Sequence, residues 1–472
     1  MGLKRLIIQG TLINFLGTFF TRIIEFLRKI ILARLLFPAD FGIVAFSRTI
    51  TGFIGNFTDF KFSFKIVQAK EDRLRLINTA FTIQLCISLL SLVFMFSFAP
   101  FIAGLVNRGE IINFLRLFSF LFILQALTLP GSLLQKELDF LKLNLPLCLG
   151  ALVGAVSAMI LALNGFGPWS LACGIILGET IRVIFLWILL PYRPKISFDI
   201  DSFKEIFQFS WPLYLLTILV WLFWNGDDFL VGILRGNKQL GYYTMAFYIP
   251  HQLLIIQQLI TRVSFPAFSR LQEEKEKILR GFEMLTKYSS IFILSLLSVL
   301  IPFTRQTILY LFGDKWLPAS TCFIFFLILV AQRSIFGHWA QLYLALGKTK
   351  TLFFSYLPVP IILFTAGPYF TLKYGIEGMA GTVALTVIIY TPLIIYFTKK
   401  VIPVRFFKIL FRPVLAFLLV FFISLKIRNF VNTFYFYLGA IIGLLLLYYL
   451  IMIILDRKLI REIKLLLGER SG

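Results

Sequence analysis

Residues Thr21 to Gly42 read TRIIEFLRKIILARLLFPADFG, a stretch long and apolar enough for a membrane span that nevertheless carries Arg22, Glu25, Arg28 and Lys29. Arg22, Glu25 and Lys29 fall at i, i+3 and i+7, so they share one helical face, with Arg28 close to it on the side of Glu25. A charge at the bilayer centre costs about 2.5–3.5 kcal/mol on insertion scales, so several in one span need either one another or a wet cavity. In one reading Arg28 and Lys29 snorkel while Glu25 pairs with Arg22 or Arg28. In the other the charged face lines a polar interior. Arg48, Arg262 and Arg333 also lie well inside apolar context. Cations collected from several helices suggest a pocket for an anion, and the forked guanidinium suits phosphate.

The composition around that stretch sets the class. Of 472 residues, 59% are hydrophobic and 15% charged, with a mean hydropathy of +0.89, whereas a soluble globular protein carries roughly 25% charge. The expected fold is therefore an all-α integral membrane protein, because a helix satisfies its own backbone polar groups in lipid. We read fourteen spans, at about 10–36, 41–60, 76–106, 111–135, 143–164, 168–191, 207–225, 238–265, 288–311, 318–346, 351–372, 376–398, 406–425 and 433–455. Alternate loops, with the two ends, carry 28 Lys and Arg against 7 in the other set, which predicts cytoplasmic termini. The opening MGLKRLIIQG lacks a small-residue cleavage site before the next span and reads as the retained cytoplasmic end of the first helix. The same loop distribution accounts for most of the net charge of +23, so nucleic acid is not an expected partner.

A repeat at an offset of about 200 to 210 residues pairs PADFGIVAF (Pro38 to Phe46) with KQLGYYTMAF (Lys238 to Phe247), and LNGFGPWSLACG (Leu163 to Gly174) with LKYGIEGMAGTV (Leu372 to Val383). The chain then reads as two homologous six-helix lobes plus two C-terminal helices. An even number of spans per lobe makes the repeat parallel, with a central cavity between the lobes and alternating access by rocking. The expected domains are 1–200, 201–400 and 401–472, the last ending in a basic cytoplasmic tail. The polar stretch near 268–288 is expected to form an amphipathic cytoplasmic linker helix.

Other chemistry is sparse. Glu179 and Arg182 form an i, i+3 pair that would neutralise itself. Asp227 and Asp228 stand at an external helix end, where they cap the helix or line a cavity. Glu25, Lys29 and these four residues are the candidates for ion pairing or coupling. His251 and His338 are isolated and read as packed or wet-face residues, and Cys86, Cys148, Cys173 and Cys322 as packing residues without disulfide or zinc spacing. LALGKT (Leu344 to Thr349) ends like a phosphate-binding loop, but Leu342 stands where the first glycine must be. No cofactor, metal site or enzyme motif is expected.

The runs Ile31 to Glu71, Leu138 to Ala172 and Gly226 to Gln272 together resemble polysaccharide biosynthesis flippases of the multidrug/oligosaccharidyl-lipid/polysaccharide exporter superfamily, and the O-antigen and exopolysaccharide branch most nearly. The resemblance runs from about residue 5 to 455. It implies a two-lobed, fourteen-helix protein of the bacterial inner membrane. Such a protein moves an undecaprenyl-diphosphate-linked oligosaccharide from the cytoplasmic to the outer leaflet, with other polysaccharide assembly proteins as partners. It also implies that Arg22 and Arg28 match cavity arginines of the first helix in related lipid II flippases. Lys29 departs from that pattern, standing where an acidic residue is common. The bottom-up substrate-site candidates remain Arg22, Arg28, Arg48, Arg262 and Arg333. An organic-cation exporter of the same superfamily would need an anionic cavity, and a membrane glycan polymerase or ligase a large external loop.

Overall fold

The computed structural model describes residues 3–68, 73–271, 274–457 and 459, with some helical positions, Arg262 among them, described by backbone alone. The basic-tail residues Lys458, Arg461, Lys464 and Arg470 lie outside the described residues. The protein is all-helical over the described part. In chain order the helices are α1 (Leu3–Leu35), α2 (Pro38–Asn56), α3 (Phe62–Gln68), α4 (Arg73–Leu105), α5 (Ile112–Leu127) and α6 (Gly131–Lys136). They continue with α7 (Phe140–Leu163), α8 (Pro168–Leu189), α9 (Ile200–Arg270), α10 (Lys275–Leu300), α11 (Thr304–Phe312) and α12 (Ser320–Phe336). The last six are α13 (His338–Ala345), α14 (Thr349–Tyr356), α15 (Pro358–Tyr374), α16 (Ile376–Val401), α17 (Phe406–Ile427) and α18 (Phe434–Leu455).

Ten helical segments are long and apolar enough to cross a membrane among the described residues. The expected spans at 10–36 and 41–60 correspond to α1 and α2, and those at 207–225 and 238–265 to parts of α9. These are not among the ten, and in α1 the charges that opened the sequence analysis lower its apolarity. Helix starts follow local chemistry. Pro38 begins α2, where a missing N–H costs nothing, and the Asp40 carboxylate accepts from the Phe37 N–H at 2.8 Å. Asp139 caps α7 by accepting from the Lys142 N–H at 3.1 Å.

The long helix α9 is broken by Gly236, at φ 86° and ψ 173°, a conformation that side-chain-bearing residues avoid. Two other glycines mark the repeat read from the sequence. Gly167 (φ 53°, ψ −131°) precedes α8 and Gly375 (φ 73°, ψ −148°) precedes α16, each inside its own copy of the motif. Of the polar stretch near 268–288, residues 268–270 close α9 and residues 275–288 open α10, which continues as one of the ten apolar segments.

The chain divides into two compact units, one ending at Gly241 and the other starting at Tyr242. Within the first unit the first segment of α9 packs on α2. A Cβ on Gly232 would meet the Phe46 ring at 2.2 Å, and one on Gly52 would lie 3.3 Å from Trp221 Nε1. Also in the first unit, α7 and α8 approach closely through Gly150, Gly154, Gly174 and Gly178, a small-residue spacing that lets helix backbones meet in lipid. In the second unit α10, α12, α16 and α17 surround buried Trp316, Phe323, Phe326 and Trp339.

Candidate functional site

The charged face of α1 forms as its spacing requires. Arg22 Nη1 lies 3.5 Å from Glu25 Oε2, with both side chains about two-fifths exposed. One turn on, the Lys29 ammonium sits 4.9 Å from the centre of the Phe41 ring of α2. That cation–π contact is a packing arrangement the sequence alone does not indicate.

The first unit gathers charges from four helices around this face. Arg48 of α2 lies within electrostatic range of Arg28 and Glu25 of α1 and of Glu179 of α8. Lys29 lies within range of Arg28, Arg48 and Asp228, the last on α9 beside Asp227. Glu179 in turn holds Arg182 at 3.0 Å, the i, i+3 pair read from the sequence. So Glu25, Arg28, Lys29, Arg48, Glu179 and Asp228 form one cluster, with Arg22 and Arg182 attached through their carboxylate partners.

Within the cluster the arginines are not equivalent. Arg22 and Arg182 are committed to carboxylates on their own helices. Arg28 and Arg48 make no hydrogen bond or ion pair with another described residue. Arg28 is partly exposed and Arg48 is exposed. Two guanidinium groups near one another with open donors can hold an oxyanion bidentately.

The Arg262 side chain lies outside the described residues. Arg333 belongs to the second unit, on α12, within electrostatic range of the Tyr356 and Tyr390 hydroxyls. The rings of Trp339, Tyr356 and Tyr390 pack there with centroids 5.5–6.0 Å apart. His338 is buried with Nε2 at 2.9 Å from the Ser289 hydroxyl, and His251 lies against Phe247, so both histidines are packed. The four cysteines are free thiols, and no three metal-ligating side chains come together among the described residues.

The sequence reading missed a half-open polar cavity of about 210 Å³ in the first unit, lined by Asp59, Gln84, Gln125, Ser132, Gln135 and Arg182 among others. Gln84 and Gln125, amides placed within apolar runs, are the signal that marks it in the sequence.

Ten helical segments of this length and apolarity, among the described residues, define a multi-pass membrane protein. The family model described as polysaccharide biosynthesis protein matches residues 31–321, and the chain belongs to that family. It is 25% identical over 297 residues to the succinoglycan biosynthesis transport protein ExoT of Rhizobium meliloti, covering 62% of this chain and 60% of that protein. It is 24% identical over 330 residues to the lipopolysaccharide biosynthesis protein WzxC of Escherichia coli, covering 67% of this chain and 65% of that one. The matched part thus spans somewhat under two thirds of each relative. Among solved structures, the lipid II flippase MurJ in an inward closed conformation superposes with a TM-score of 0.79 at 18% identity, covering 95% of this chain and 100% of that one. An inward-facing multidrug resistance MATE transporter of the MOP superfamily gives a TM-score of 0.63 at 14% identity, covering 80% of this chain and 94% of that one. These likenesses show a shared fold.

Proposed function

We propose that this protein is a flippase that carries an undecaprenyl-diphosphate-linked oligosaccharide, an O-antigen or exopolysaccharide repeat unit, from the cytoplasmic to the outer leaflet by alternating access. The observation that carries the reading is the pair Arg28 and Arg48. They are two open guanidinium groups on neighbouring helices of an apolar protein in a polysaccharide biosynthesis family. A diphosphate leaving water loses hydration worth many kcal/mol, and only fixed cations with free donors replace it. The polyprenyl tail stays in lipid while the headgroup crosses. In this reading α1, α2 and both segments of α9 cross the membrane with the ten apolar segments, giving fourteen crossings in two lobes with cytoplasmic termini. Arg262 and Arg333 would supply further cationic contacts to the headgroup.

An organic-cation exporter would rest on Glu25, Glu179, Asp227 and Asp228. Glu25 and Glu179 are each bound to an arginine one turn away, which favours the anion reading. The test is leaflet location of the lipid-linked oligosaccharide, read by a periplasmic glycosidase in cells carrying the wild type or the Arg28→Ala/Arg48→Ala double variant at equal expression. The expected result is cytoplasmic-side accumulation and a loss of surface glycan of about tenfold or more, the scale of losing one or two charge-assisted contacts. Full export by a well-expressed double variant would overturn the anion pocket.

A further inference from the structure

Glu179 sits between two arginines of different commitment. Its carboxylate bonds Arg182 at 3.0 Å on its own helix. It also lies within electrostatic range of Arg48 of α2, where its negative charge stabilises the cation. The α2 and α8 helices pack on each other, so the relation is fixed by the fold. Arg182 is itself held in place. A Cβ on Gly150 of α7 would lie 2.9 Å from Arg182 Cβ and 2.6 Å from the Gly178 carbonyl oxygen. Arg182 also lines the half-open polar cavity of about 210 Å³, a volume large enough to hold water. Arg182 therefore has hydration available when its carboxylate partner turns away.

A site meant for an anion needs its cations compensated while no anion is bound, because isolated charges in a low-dielectric surrounding are costly. That compensation must also be removable. A carboxylate within charge range of the anion-binding arginine, but tethered at bonding distance to another arginine, meets both conditions. We propose that Glu179 is the resident counter-ion of the cluster. It shields Arg48 in the empty site and is retained on Arg182 when an anionic headgroup takes its place. Arg182 is then a positioning residue, setting how much of the Glu179 charge Arg48 feels. The inference rests on the reading of Arg48 as a diphosphate contact.

The experiment is a charge cycle on the full chain in neutral-lipid nanodiscs, with undecaprenyl diphosphate lacking any glycan as the probe. Glu179→Gln keeps the side-chain shape and removes the competitor, so binding should tighten by about three- to tenfold, and the gain should shrink as salt is raised from about 0.05 M to about 0.5 M. Arg182→Gln frees Glu179 towards Arg48 and should weaken binding by a similar factor. The double variant should bind like Glu179→Gln. A purely structural pair would instead give weaker binding in both single variants. Should Arg182→Gln fold poorly by size exclusion, the Glu179→Gln affinity and its salt dependence decide alone. Arg48→Gln separates the two layers of the argument. If it weakens binding while Glu179→Gln does not tighten it, the counter-ion role fails and the diphosphate site stands. If Arg48→Gln binds like wild type, the diphosphate reading fails with it.

Discussion

Gly42 and Asn237 touch backbone to backbone: a Cβ added to Gly42 would fall 1.6 Å from the carbonyl oxygen of Asn237. The same seam closes one turn away, where a Cβ on Gly241 would lie 1.8 Å from the Pro38 carbonyl oxygen. Neither obstacle is a side chain that could swing aside, so added volume must part α2 from α9. Gly42→Ala should therefore cost about 1–3 kcal/mol, the usual range for overpacking a tight contact. Thermal unfolding of the detergent-purified protein measures it. Gly104, with no neighbour within 4 Å of its would-be Cβ, is the control. Its alanine variant should unfold at the wild-type temperature or slightly above, since alanine favours helix.

Arg108, in the turn between α4 and α5, ties that turn to the break in α9. Its Nη1 donates to Asn237 Oδ1 at 3.0 Å, its Nη2 to the Ile233 carbonyl at 3.4 Å, and its guanidinium lies 5.0 Å from the Phe46 ring centre. Glu110 accepts from the Asn237 amide on the same side. Arg108→Ala removes all three contacts at a half-exposed site, and the expected loss is about 1–2 kcal/mol. Amide hydrogen exchange should show faster opening confined to residues around Gly236, while Arg108→Lys recovers part of the protection.

Asp456, just beyond α18, is buried between Lys287 of α10 and Arg412 of α17, each 2.9 Å away. It pins the C-terminal helix pair to the second unit. Burial pushes its carboxyl pKa up, but the hydrogen bond and charge of Lys287, and then Arg412, outweigh this and leave it below the ordinary value. A lowered folded pKa means that the stabilisation is fully present above the unfolded value of about 3.9 and fades as pH falls through the folded one. The wild type should thus lose thermal stability below about pH 4 through this site. Asp456→Asn should be less stable at pH 7 by about 1–2 kcal/mol, since both cations are partly solvated. Its melting temperature should fall less than that of the wild type between pH 5 and pH 3. Parallel acid slopes for the two proteins would remove Asp456 from the explanation.

Much of the candidate site is legible in the chain because its chemistry is out of place. Charges inside apolar runs at Arg22, Glu25, Arg28, Lys29, Arg48 and Glu179 are costly anywhere but a cavity, and local spacing identifies the Arg22–Glu25 and Glu179–Arg182 pairs. What spacing does not reveal is which cation each remaining carboxylate faces. Glu179 with Arg48 and Asp228 with Lys29 are separated by more than a hundred residues and meet only through helix packing. The polar cavity beside Arg182 was hidden for the same reason, since Asp59, Gln84 and the stretch from Gln125 to Ser132 are far apart along the chain.

Composition and hydropathy alone mark an all-helical membrane protein, the ten apolar segments among the described residues, and the residues too polar for their surroundings. Those properties follow from local composition and from the rule that backbone groups in lipid bond within their own helix. Helix packing is what puts the first segment of α9 into the first unit, breaks that helix at Gly236 rather than at a loop, and leaves Arg28 and Arg48 without a hydrogen bond or ion pair to another described residue while Arg22 and Arg182 each bond a carboxylate. Those outcomes depend on close backbone approach at residues such as Gly42, Gly150 and Gly232, where the absence of a side chain matters only once another helix has arrived.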